Sequence, residues 1–201
     1  MPDVPSSALP PHVSLRIAVT TGRRTTRSDL VIVGSRGSVH TPLGSPDATI
    51  SEFPVSRLWP TVRALLPADS VARSAPAVTR AAERVPVSAE EAAILPALVR
   101  HAVTVTVTAR AGGTAETPGT AETPGTPGTP GGGDVGAAAE DALALRTWLL
   151  TARDLYAVTS APDGTTTVLR ERAGALAATL QWDVAGALDH LVGALATTGA
   201  A

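Results

Sequence analysis

Apolar and polar positions alternate strictly along Val103-Thr104-Val105-Thr106-Val107-Thr108. The same pattern stands ninety residues earlier, in Val13-Ser14-Leu15-Arg16-Ile17-Ala18-Val19. Alternation of period two over this length predicts a β-strand with one buried face and one face turned to solvent or to a partner. Laid on each other, Val13, Leu15, Ile17 and Val19 fall on Val103, Val105, Val107 and Ala109, and Gly22 falls on Gly112.

After the first strand, Val13–Thr20, the segment Gly22-Arg23-Arg24-Thr25-Thr26-Arg27-Ser28 reads as a polar hairpin loop. Leu30–Val33 is apolar on both faces, the mark of a strand covered on both sides. Gly34-Ser35-Arg36-Gly37 is a turn, Ser38–Thr41 a third strand, Gly44-Ser45-Pro46-Asp47-Ala48 a second turn, and Thr49–Phe53 a short fourth strand. From Ser56 the spacing becomes helical, with Leu58, Trp59, Val62, Leu65 and Leu66 on one side. Pro60 is tolerated there only in the first turn, and Pro67 closes the helix.

The strand at Val103–Arg110 is followed by the same elements in the same order. Trp148-Leu149-Leu150 falls on Val31-Ile32-Val33, Arg153 on Arg36, and Leu155–Thr159 on the third strand. Ala161-Pro162-Asp163-Gly164-Thr165 falls on Ser45-Pro46-Asp47-Ala48-Thr49, and Leu169 on Phe53. A helix with an apolar stripe of Leu176, Leu180, Val184, Leu188 and Leu191 closes the copy. The shared order and the shared Pro-Asp-x-Thr turn point to a duplicated unit. Its second copy carries a Thr/Pro/Gly-rich insert at about residues 113–138, expected to be a disordered hairpin loop in which extra length costs little closure entropy.

Between the copies, Ala68–Arg100 reads as helical. A first helix is expected over Val71–Arg84. A second starts at a capping box, Ser88-Ala89-Glu90-Glu91, in which Ser88 caps and Glu91 returns to its amide. Pro96 must kink or end that helix. The expectation is an α+β fold: two pseudo-symmetric repeats of antiparallel β-strands followed by a helix, with helices between and beside a central sheet. Residues 1–12 form a flexible arm, 13–67 the first repeat, 68–102 the connecting helices, 103–195 the second repeat and 196–201 a flexible tail.

Composition narrows the class. The 201 residues are 44% apolar, but much of that is Ala and Val, with one Phe, one Tyr and three Trp. All 16 basic residues are Arg, and Lys, Asn and Cys are absent, as in a GC-rich, actinobacterial type of genome. A net charge of −2 argues against nucleic acid or an anionic membrane as partner. Absence of Cys excludes disulfides and thiolate metal sites. No stretch approaches the roughly 20 apolar residues of a membrane span, and the first residues lack the pattern of a signal peptide. A soluble, cytoplasmic protein is expected.

Candidate chemistry is sparse. His12, His40, His101 and His190 stand at no metal-ligand spacing, no Ser lies in a Gly-x-Ser-x-Gly elbow, and Gly34-Ser35-Arg36-Gly37 leads into a strand rather than a helix N-terminus. No catalytic, metal or cofactor residue is assigned, and no cofactor is expected. Arg23, Arg24 and Arg27 form the densest positive cluster, either a solvated hairpin or a contact for an acidic partner surface.

With these elements placed, the chain resembles the EspG family, the cytosolic chaperones of type VII (ESX) secretion. Leu58-Trp59-Pro60-Thr61-Val62-Arg63-Ala64-Leu65-Leu66-Pro67 is similar to the end of that family's first half. Val87-Ser88-Ala89-Glu90-Glu91-Ala92-Ala93-Ile94-Leu95 is similar to its central helix start. Trp148-Leu149-Leu150 through Tyr156, Asp163-Gly164 and the Ala/Leu-rich last helix resemble its second half. The family pattern opens with a further strand and helices, so the chain reads as N-terminally shortened. The resemblance implies a non-enzymatic chaperone that keeps a PE–PPE-like helical secretion substrate soluble. The Gly22–Ser28 loop projects from a strand end with three arginines, so Arg23, Arg24 and Arg27 are expected to be part of the partner contact. Two other readings stay open: a scaffold module that self-associates through its sheet edges, and a hydrolase whose site joins His40 to a distant Asp.

Overall fold

In a computed structural model, residues 10–41, 49–68, 70–76, 85–110, 142–161 and 163–198 are described. The strands are β1 (His12–Thr21), β2 (Arg24–Val33), β3 (Arg36–Thr41), β4 (Thr49–Pro54), β5 (Val85–Pro86), β6 (His101–Arg110), β7 (Ala142–Leu150), β8 (Leu155–Ser160) and β9 (Thr166–Glu171). The α-helices are α1 (Leu58–Leu65), α2 (Ala89–Leu98) and α3 (Ala175–Thr198). The fold is α+β, with all nine strands in one antiparallel sheet of order β4-β3-β2-β1-β6-β7-β8-β9-β5.

The two alternating strands lie side by side at the centre, β1 against β6, with Arg16 opposite Thr106 at the middle of the pair. Their apolar residues share one face. Val13, Leu15, Ile17, Val103, Val105 and Val107 are buried there with Leu30, Ile32, Trp148 and Leu150. Each such aliphatic side chain contributes roughly 1.5–3 kcal/mol by leaving water. Val62 and Leu66, in and just after α1, and Leu176, Leu180, Val184 and Leu191 of α3 cover that face and complete one continuous core. Helix α3 crosses β6, β1 and β7, and α1 packs beside β4.

Helix α2 is on the other side. Tyr156 follows Leu155 in β8 and therefore faces away from the core. Its hydroxyl donates to Glu91 Oε1 of α2 at 2.8 Å, and Tyr156 and Leu95 of α2 are each 3% exposed. The Ser88 cap is present, with Ser88 Oγ accepting from the Glu91 amide at 3.2 Å. The reciprocal half of the expected box is not the one formed, because the Glu91 carboxylate turns to Tyr156. Helix α2 runs through Pro96 to Leu98.

Several local expectations are corrected. Residues 22–28 are not a loop: Gly22 and Arg23 alone make the turn, and pairing resumes at Thr21 opposite Arg24. A two-residue hairpin of this kind wants φ > 0 at its first central position, and Gly22 (φ 59) and Gly34 (φ 57) both supply it. Leu30–Val33 is covered on one face only, since Leu30 and Ile32 are buried while Val33 is 41% exposed. Trp148 pairs with Val103 as Ile32 pairs with Val13, so Trp148 matches Ile32 rather than Val31.

The helix expected over Val71–Arg84 is, in its described part, one 3₁₀ turn, Val71–Arg73. Ser74 ends the turn in extended backbone at ψ 142, and the turn is anchored by Arg73. Its Nε and Nη2 donate to the Leu66 carbonyl at 3.0 and 2.6 Å, which ties this turn to the end of α1. The connector also supplies β5, the edge strand beside β9. At the ends, β1 already includes His12 and α3 continues to Thr198, into stretches expected to be arm and tail. The insert at about 113–138, the Gly44–Ala48 turn and residues 77–84 lie outside the described residues.

Candidate partner-binding face

Opposite α1 and α3, the sheet presents the polar half of its alternation. Ser14, Arg16, Ala18 and Thr20 of β1 lie beside Thr104, Thr106 and Thr108 of β6. Asp29 and Arg27 continue this face on β2, Ser38 and His40 on β3, and Glu52 on β4. Among the described residues no helix lies over β1, β2, β3 and β6 on this side, whereas α2 occupies the side near β8 and β9.

Hydrogen bonds order the face. Arg16 Nε donates to Asp29 Oδ1 at 2.8 Å across the β1–β2 pair. Thr104 and Thr147 hydroxyls meet at 3.3 Å, and Thr20 and Thr25 at 2.9 Å. Arg36 and Glu52 stand 3.7 Å apart near the sheet edge. Each exposed pair of this kind contributes little stability, of order 0–1 kcal/mol. Their effect is to fix the directions of side chains on a flat surface. At the sheet centre a shallow polar groove of about 260 Å³ lies between Arg16–Asp29 and Thr106–Thr108, with His12 and Arg110 at one end.

The three arginines expected to form one contact are separated. Arg23 sits in the β1–β2 turn, and Arg24 and Arg27, three apart in a strand, point to opposite faces. Arg27 stands opposite Ala18 on the open face. Arg24 stands opposite Thr21, on the side that carries the core further along β1. What sequence reasoning missed is the centre of the face, because Arg16, Asp29 and Thr106 come together only through strand pairing.

His40 and Asp29 are cross-strand partners on this face, the arrangement a His–Asp hydrolase would need. The Asp29 carboxylate is bound to Arg16, and no hydrogen bond among the described residues joins it to His40. His101 Nδ1 meets the Thr21 hydroxyl at 2.8 Å, and His12 Nδ1 lies 2.9 Å from the Pro10 carbonyl oxygen. No group of three or more His, Asp or Glu among the described residues could hold a metal ion. No helix among them is long and apolar enough to cross a membrane.

The groups with displaced protonation lie elsewhere and serve packing. Tyr156 is pushed up to about 12, first by burial, then by its bond to Glu91 and by the charges of Asp154 and Glu91. Arg170 Nη2 donates to Asp154 Oδ1 at 2.6 Å, which raises the guanidinium pKa. Arg146 projects to the helix side of β7 and grips Asp183 of α3 with two bonds of 3.0 and 3.1 Å. That grip raises the Arg146 pKa against the opposing effect of its burial. At the β8–β9 turn, Asp163 is lowered by accepting the Thr165 amide at 2.8 Å. Comparison with protein-family models, curated proteins and solved structures finds no match for this chain.

Proposed function

We propose that this chain is a non-enzymatic binding protein of the EspG type, a cytosolic chaperone that holds a helical, PE–PPE-like type VII secretion substrate soluble for export. The observation that carries the reading is the open sheet face over β1, β2, β3 and β6. It is broad, rich in hydroxyl and guanidinium donors, and ordered by its own cross-strand bonds. Such a face can meet a partner through hydrogen bonds, with Ile50 and Leu145, 60% and 65% exposed beside His40 and Thr106, as apolar contacts on the same side.

The strand order supports the duplicated unit on which the resemblance rests. From the β1–β6 seam, β2, β3 and β4 run outward on one side and β7, β8 and β9 on the other, and a helix follows each set. Two such units related by a pseudo-two-fold through Arg16 and Thr106 would join their polar faces into one surface.

The test is co-expression with a PE–PPE pair, followed by affinity capture and mass measurement of the complex. Capture at a fixed stoichiometry is expected, lost with Thr106→Arg at the centre of the face and weakened by Arg27→Ser, the one of the three arginines that stands on this face. Recovery of the chain without substrate, or capture indifferent to Thr106→Arg, would sink the reading.

A further inference from the structure

The helix-covered side carries a second surface, independent of the open face. On α3, Trp182 is 78% exposed and Val192 68% exposed. With Ala185 and Asp189 they stand at intervals of three, four and three, which places all four along one outward seam. Beside that seam, between α1 and α3, lies an apolar cleft of about 250 Å³. Leu15 forms its floor, Trp59 and Val62 one wall, and Val184, Ala185 and Leu188 the other. A projecting indole and an apolar slot thus sit on the same face of the same chain.

The charges of the two helices are of opposite sign. Between Glu52 and Asp69 the chain carries Arg57 and Arg63 and no carboxylate. From Ala175 to Thr198 it carries Asp183, Asp189 and His190 and no Arg. Asp183 is committed to Arg146. Arg57, Arg63 and Asp189 make no ion pair among the described residues.

We propose that this α1/α3 face is where two copies of the chain associate about a two-fold axis. An isologous contact sets α1 of one copy against α3 of the other, twice. Each Trp182 then enters the cleft of the second copy, and each Asp189 meets an α1 side that carries Arg57 and Arg63. Charge complementarity within one surface is what singles out a second copy as the occupant. A 24-residue helix is about 36 Å long, and two helices about 10 Å wide, one of them short, offer on the order of 500 Å² per copy. That lies at the small end of specific interfaces, so a reversible monomer–dimer equilibrium is the form the association takes.

Sedimentation velocity of the full chain over low-micromolar to several-hundred-micromolar concentration tests this. A monomer–dimer equilibrium is expected, weakened at least tenfold by Trp182→Ser with an unchanged circular dichroism spectrum. Asp189→Arg alone, and the pair Arg57→Asp with Arg63→Asp, should each be monomeric. A mixture of those two charge-reversed proteins should recover dimer, because the heterodimer restores opposite charges at both contacts. A wild type that stays monomeric throughout overturns the proposal, whether or not another protein binds this face. So does a dimer untouched by Trp182→Ser, or charge-reversed proteins that do not recover dimer on mixing. Thr106→Arg, which tests substrate capture on the opposite face, should leave the equilibrium unchanged.

Discussion

Tyr156 allows one contribution to stability to be isolated by pH alone. The chain has a single Tyr and neither Lys nor Cys. Carboxylates, imidazoles and the α-amino group titrate below about pH 9, and guanidinium above about pH 12. Between those limits this phenol is the one side chain that changes charge. In the native state burial, the 2.8 Å bond to Glu91 and nearby negative charge raise its pKa to about 12. In the unfolded chain it returns to about 10. From about pH 10 to 12 the unfolded state therefore holds fewer protons than the native state, and stability falls as pH rises. The contribution is complete below pH 10 and gone above 12. A displacement of two units at ~1.4 kcal/mol each is on the order of 2–3 kcal/mol. Urea unfolding in steps from about pH 9 to 12, beside the tyrosinate absorption band, measures both quantities. Tyr156→Phe should start lower, by roughly 1.5–3 kcal/mol for a hydrogen bond to a charged acceptor, and then stay flat. A tyrosinate midpoint near 10, or a Phe variant that declines in parallel with wild type, refutes the reasoning.

Other perturbations act on single contacts. A Cβ on Gly37 would overlap the Phe53 ring, so Gly37→Ala should cost about 1–3 kcal/mol in chemical denaturation, and Phe53→Leu should relieve part of it. Arg146→Ala and Asp183→Ala should each cost about 1–2 kcal/mol, and the double variant little more than either, because both remove one bidentate contact. Glu91→Gln should bring the Tyr156 midpoint down toward 10, read from the same absorption band. Deletion of 114–133 should leave melting temperature and substrate capture unchanged, since these residues join the paired strands β6 and β7, where connection length costs little closure entropy.

What the sequence disclosed depended on whether a strand has one wet and one dry face. β1 and β6 do; β1 was legible to within a residue at each end, and β6 was legible at its end and two residues late at its start. The Arg24–Arg27 end of β2 is exposed at every position, because the β1–β2 hairpin extends past the helix layer. With no dry face there is no alternation to read, and a paired strand passes for a polar loop. In the connector the described residues just after α1 form only a 3₁₀ turn, although their Ala, Val and Arg content suits a helix, and Arg73 there is bound to the Leu66 carbonyl. Glu91 likewise leaves its local capping role for Tyr156, 65 residues away. Composition does not carry contacts of this kind.

The same limit shows at the core-facing row of the sheet, where Leu30 stands opposite Leu15 but Arg146 stands opposite Val105. By alternation alone Arg146 breaks the pattern of β7 and argues against a buried row. The structure gives the reason in the helix above it. Asp183 keeps only 11% of its side chain exposed on α3, and a carboxylate so far withdrawn from water must be paired. Arg146 supplies the pair with a two-pronged contact that sets α3 against the edge of the β6–β7 pair. The first half has no such need, because α1 is eight residues long and carries no carboxylate over the sheet. The departure from alternation in β7 is therefore a consequence of the long helix that comes after it, and Asp183→Leu with Arg146→Leu is the substitution that should restore an apolar row without loss of stability.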